Sequence, residues 1–170
     1  MEDVEEAPGD RLPTLLEVPT LDVVALVGVL AKAPAPLAHA CMTRLALLVQ
    51  RPGMDATAEG AGALEAVVTA MRAHAAVPEL QAAGCEVIAL VCLSCDENDP
   101  GAMQRHQRAL QAGALQTVVA GLTSHVATND PTGDLLTRGC MALTVLTANN
   151  TTLRAQAVAL GADVGWLPST

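Results

Sequence analysis

A chain that repeats itself at a steady interval can bury each unit's apolar face only against the neighbouring unit, and this chain repeats itself. Leu21-Asp22-Val23-Val24, Leu64-Glu65-Ala66-Val67-Val68 and Leu115-Gln116-Thr117-Val118-Val119 each open an apolar run, with spacings of 43 and 51 residues. Gly62-Ala63 and Gly113-Ala114 introduce the two later ones. His74 and His125 follow at the same distance from Leu64 and Leu115, and further on Gly84-Cys85 and Gly139-Cys140 each lead into another apolar run. Leu110-Gln111-Ala112-Gly113-Ala114 is echoed by Ala159-Leu160-Gly161-Ala162. An interval of about 40 to 50 residues suits two or three helices per unit. The inequality of the spacings falls in segments rich in turn formers, Cys95 to Gly101 and Thr128 to Gly133. The units therefore run over residues 20–61, 62–112 and 113–162, and residues 163–170 read as the start of a truncated further unit.

What the units are made of decides their secondary structure. Half of the chain is apolar (51%), yet it has no Phe, no Tyr and only Trp166, so the core is built from Ala, Leu and Val. Strands lean on β-branched and aromatic residues, whereas Ala and Leu lose little rotamer freedom in a helix. The expected class is all-α, with helices over 21–33, 36–50, 62–75, 78–95, 102–111, 114–127, 132–148 and 151–160. Pro36, Pro78 and Pro131 fall near helix starts, where a missing N–H costs little, and Asp130 or Thr132 would cap the helix that begins beside Pro131.

Charge excludes several functions. The formal charge is −9, and residues 1–22 hold Glu2, Asp3, Glu5, Glu6, Asp10, Glu17 and Asp22 against Arg11 alone. Residues 1–19 thus read as an acidic, Pro-containing leader in solvent. The nine basic residues never cluster and bases would find almost no aromatic side chain to stack on, so no nucleic-acid partner is expected. Ala109 to Asn129 is uncharged apart from His125, but Gln111, Gln116 and Ser124 punctuate it and Gly113 breaks it, so no membrane span is expected. The leader has neither the basic start nor the apolar stretch of a targeting signal, which points to the cytoplasm, with the nucleus as the alternative.

The recurring residues resemble the armadillo repeat, in which a Gly-Ala-Leu start leads through Val-Val and a His to Gly-Cys. The third unit matches best, in Gly113-Ala114-Leu115, Val118-Val119, His125, Gly139-Cys140-Met141-Ala142-Leu143, Asn149-Asn150 and Leu160-Gly161-Ala162. The second is similar in Gly62-Ala63-Leu64, Val67-Val68, Met71, His74, Gln81 and Gly84-Cys85, and the first matches only in Leu21, Val23, Val24 and Cys41-Met42. The resemblance implies a right-handed α-solenoid of about three helical repeats whose third helices line a concave groove for a protein partner. In peptide-binding members that groove carries a ladder of Trp and Asn. Here Glu86 and Met141 stand at the Trp places, and Leu90 and Val145 at the Asn places. Without those donors a ligand's backbone amides go unpaired, so side-chain and apolar contact is the expected mode.

The expected function is accordingly a non-catalytic interaction scaffold presenting Glu86, Leu90, Met141, Val145 and Asn149 to a protein partner, with end-to-end contact through residues 160–170 as an option and no cofactor. No phosphate loop, nucleophile elbow or paired carboxylates argue for an enzyme. One alternative from another class is a thiol-based metal or redox protein using Cys92 and Cys95, a Cys-x-x-Cys pair, with His106. His39, His74 and His125 are weaker ligand candidates, since the last two hold equivalent repeat positions as a packing role would require. Cys41, Cys85 and Cys140 read as buried thiols. Asp96, Asn98 and Gly101 imitate the start of a calcium loop, but Gln107 replaces its terminal carboxylate. Asn149-Asn150-Thr151-Thr152 contains glycosylation sequons that read more simply as helix-entry residues. A further alternative is an inactive fragment of a longer repeat protein.

Overall fold

The computed structural model describes residues 11–93, 99, 101–125 and 133–168. Among these residues there is no strand, and nine helices follow one another: α1 (Val23–Leu30), α2 (Ala35–Val49), α3 (Met54–Gly60), α4 (Ala63–Ala73), α5 (Pro78–Cys92), α6 (Ala102–Ala112), α7 (Ala114–His125), α8 (Asp134–Leu146) and α9 (Thr151–Ala159). The all-α class is as expected. Short 3-10 turns at Val18–Thr20 and Val164–Trp166 flank them. No helix among the described residues is long and apolar enough to cross a membrane.

Local chemistry sets the helix limits. Asp22 caps α1 by accepting from the Ala25 amide at 2.9 Å, and Asn150 caps α9 by accepting from Leu153 at 3.0 Å. Pro36 and Pro78 sit in the first turns of α2 and α5, while Pro131, Asp130 and Thr132 lie outside the described residues. The cap of α8 is Gly133, so that helix starts two residues later than the sequence pattern placed it. Gly62 and Gly113, at φ 79° and 84°, adopt the left-handed turn that lets α4 and α7 begin immediately after the preceding helix. This backbone demand accounts for the repeated Gly-Ala-Leu start. The final residues of the expected leader are not wholly in solvent: Val18 is 3% exposed and joins the core, while Arg11 pairs with Glu17 at 2.8 Å.

Helices three apart in the chain pack together. The α5 helix lies between α2 and α8, and α4 lies between α1 and α7. All of α5 is buried apart from Pro78, Glu79, Glu86 and Leu90. Gly84 and Gly139 mark close approaches between helices: a Cβ at Gly84 would lie 2.6 Å from Met71 Cγ, and one at Gly139 would lie 2.6 Å from Leu122 Cδ2. A glycine inside a helix costs about 1 kcal/mol relative to Ala, and here close helix contact offsets it. The recurring histidines join successive units, since His74 Nε2 donates to the Ala33 carbonyl at 2.9 Å and His125 Nε2 to the Ala75 carbonyl at 2.7 Å. Arg72 adds a link between α4 and α7, its Nε donating to Thr117 Oγ1 at 3.0 Å.

Two further features differ from the sequence reading. The first unit's register is shifted: α1 buries Val23, Leu26, Val27 and Leu30, while Val24 is 61% exposed and Leu21 precedes the helix. Burial therefore aligns Leu26-Val27 with Val67-Val68, two residues away from the alignment on Leu21. The second feature is α3, a helix not expected at all. It buries only Ala58, so it has no apolar stripe to betray it.

Candidate functional site

Four of the five residues expected at the partner face lie on two packed helices. Glu86 and Leu90 are one turn apart on α5, and Met141 and Val145 are one turn apart on α8. Met141 is 39% exposed, whereas Leu90 and Val145 are half-buried and pack against the core. Their i, i+4 spacing puts each pair on one face of its helix, and on α5 these two positions and the first two residues are all that is not buried. The same register on α2 holds Leu47, 56% exposed, which the sequence reading did not include. Leu47, Leu90 and Val145 thus form an apolar row across three successive packed helices, with Met141 beside it.

Charge at this face is paired. Glu86 Oε2 accepts from Arg138 NH1 at 2.8 Å, an ion pair that joins α5 to α8 beside the apolar row. Arg138 was not foreseen, because a cross-helix partner one unit away depends on how α5 and α8 cross. Asn149 is exposed, but its φ of 52° gives it a backbone role in the turn that ends α8, where Asn tolerates the left-handed region. It belongs to the α8–α9 connection rather than to the apolar row.

The thiols and histidines take other positions. Cys92 is buried at the end of α5, where its Sγ donates to the Arg105 carbonyl at 3.9 Å. Burial pushes its thiol up to about 12, with the Arg105 cation opposing the rise and Glu59 adding to it. Burial likewise pushes Cys41 up to about 11 and Cys85 up to about 12, the latter helped by Cys140 nearby, and raises Cys140. Cys95 and residues 96–98 lie outside the described residues. His106 Nε2 donates to the Leu146 carbonyl at 2.8 Å, a tie between α6 and α8 that occupies this nitrogen. His39 lies on α2. Among the described residues no three His, Cys, Asp or Glu side chains are grouped to hold a metal ion.

The most buried charge is Arg105 on α6, 2% exposed. Its Nε donates to the Val91 carbonyl at 2.8 Å, and its NH2 meets the carboxylates of Asp99 and, at 3.1 Å, Asp55. It therefore fastens the start of α6 to the end of α5 and to α3. Nothing in the sequence distinguishes it from Arg108, which stays partly exposed as a surface tie: Arg108 pairs with Glu65 at 2.9 Å and donates to the Glu59 carbonyl at 2.9 Å.

No protein-family profile matches the chain, and neither a curated protein nor a solved structure matches it.

Proposed function

We propose that this chain is a non-catalytic protein-interaction module, an armadillo-type right-handed α-solenoid of about three repeats. The observation that carries the reading is the apolar row Leu47, Leu90 and Val145, with Met141 beside it, which recurs at equivalent positions on three helices that pack in sequence, α2 on α5 and α5 on α8. Packing between helices three apart and the repeated histidine ties are what a stack of three-helix units requires. A partner would gain most of its affinity from this apolar centre, with the Glu86–Arg138 pair at its edge setting orientation.

The row lacks main-chain hydrogen-bond donors of the ladder type, which favours a folded partner or a helix over an extended peptide. Leu160 and Val164 are also exposed near the last turn, and they remain the proposed place for end-to-end contact. The thiol alternative draws no support from its described half, since Cys92 is buried and its thiol holds its proton far above neutral pH.

The test is affinity capture from native cell extract with the wild type and a Met141→Asp, Val145→Asp variant. The expected outcome is a partner held by the wild type and lost by the variant at unchanged helicity. Equal capture by both would refute the placement of the face, and no specific partner in either would favour an inactive fragment.

A further inference from the structure

The α9 helix keeps the register of two earlier helices. Ala58 on α3, Ala109 on α6 and Ala157 on α9 are all fully buried. Each stands one turn before a left-handed glycine, Gly62, Gly113 and Gly161, with φ of 79°, 84° and 104°. The three helices thus hold equivalent places, but their surroundings differ. The α3 helix packs on α1 and α2 and also on α4 and α5, while α6 packs on α4 and α5 and also on α7 and α8, so each is held between two successive helix pairs. The α9 helix rests chiefly on α7, and among the described residues no helix pair follows it. Val158, Leu160 and Val164, on it and just after it, are exposed.

One polar group marks what α9 lacks. A turn before the buried alanines stand Asp55, His106 and Arg154. His106 Nε2 donates to the Leu146 carbonyl at the end of α8. Asp55 pairs with Arg105, whose Nε donates to the Val91 carbonyl at the end of α5. In both earlier units this position is tied to the end of the helix pair that follows. Arg154 has no such tie, since its Nε is shielded from solvent without a hydrogen-bond partner. A shielded guanidinium N–H without an acceptor is unfavourable. The acceptor that the repeat calls for is the carbonyl end of a helix equivalent to α5 and α8, where the helix dipole also favours a cation.

A helix pair with the complementary lack is present in the same chain. The α1 and α2 helices are the counterparts of α4 and α5, yet among the described residues no helix precedes them as α3 precedes α4 and α5. Only the Val18–Thr20 turn lies on α2, and beside it Leu15 and Leu16 are exposed, Leu16 at 90%. We infer that copies of this chain stack head to tail, α9 of one copy packing against α1 and α2 of the next as α6 packs against α7 and α8, with Arg154 donating to the carbonyl end of that α2. The inference rests on the repeat reading above and names the occupant of its end-to-end contact. Because the two surfaces differ, the contact does not close into a pair but leaves each end open to a further copy.

The experiment is sedimentation velocity of the full chain over a wide concentration range, with variants at each end. The wild type should grow past the dimer as concentration rises. Leu16→Asp and Val164→Asp, both at strongly exposed positions, should each stay monomeric at unchanged helicity. An equal mixture of the two should form a dimer, since each keeps the surface that the other has lost. Arg154→Met should weaken association about tenfold. The Met141→Asp, Val145→Asp variant should associate as the wild type does, so that stacking and partner capture by the apolar row are read separately. A wild type that stays monomeric throughout, a dimer that never grows, or a mixture of the end variants that stays monomeric would each overturn the inference. So would association abolished by Met141→Asp, Val145→Asp but by neither end variant. Undiminished association of Arg154→Met would overturn the register assigned to α9.

Discussion

Gly84 illustrates how a single hydrogen atom decides helix packing. Ala is the better helix former by about 1 kcal/mol, but the added methyl would press on Met71, and overpacking of this kind costs about 1–3 kcal/mol. We therefore expect Gly84→Ala to be destabilising by urea unfolding, and to cost less in a Met71→Ala background than in the wild type. Arg105→Met should cost about 2 kcal/mol, because it strips charged hydrogen bonds from Asp55 and Asp99, which retain some hydration, and from the Val91 carbonyl. The buried thiols give a pH expectation with a definite sign. Their folded values lie above the ordinary 9.0, so their contribution to stability is whole below about 9 and is lost as pH rises through about 11 to 12. At pH 8 a thiol reagent followed by mass spectrometry should modify Cys140 before Cys41, Cys85 or Cys92, because Cys140 alone of the four is partly exposed. Early modification of Cys92 would reopen the redox reading.

At the scale of elements, the histidine ties are the joints between successive units. His74→Ala and His125→Ala should each cost about 1 kcal/mol. The local signature should be faster amide exchange in the α1–α2 connection for His74→Ala and in the α4–α5 connection for His125→Ala. Exchange unchanged in both connections would mean that the rings only fill space. These joints were half legible in the sequence: the equivalence of His74 and His125 indicated packing, but not the carbonyl each ring reaches. The α4 helix with its strong apolar stripe, and α5 with its long apolar run, were legible to within a few residues. The α3 helix was not, because its single buried residue leaves no periodicity. The α1 register failed for a related reason, since Leu21-Asp22-Val23-Val24 offers several apolar residues and only capping by Asp22 decides which of them face inward. Within the candidate face, repeat spacing was enough to place Glu86, Leu90, Met141 and Val145 on two helices. Their ion-pair partner Arg138 and the extension to Leu47 depend on how successive helices pack.

At the scale of the molecule, α5 is the centre. It touches α2 on one side and α8 on the other, so damage there should spread in both directions. Ile88→Ala, at a fully buried position, is expected to cost about 2–5 kcal/mol and to raise amide exchange in α2 and α8 together. Loss of protection confined to one of them would show that the units melt independently. Leu136 on α8, whose counterpart on α5 is the buried Gln81, stays 37% exposed.

Trp166 stands in the last 3-10 turn, half-buried against the core, and the chain has no Tyr or Phe. All of its intrinsic fluorescence therefore originates at one end. Emission and circular dichroism watch different things here, the first a single terminus and the second every helix. The gap between their melting curves would measure how far the structure unzips from that end before the rest gives way.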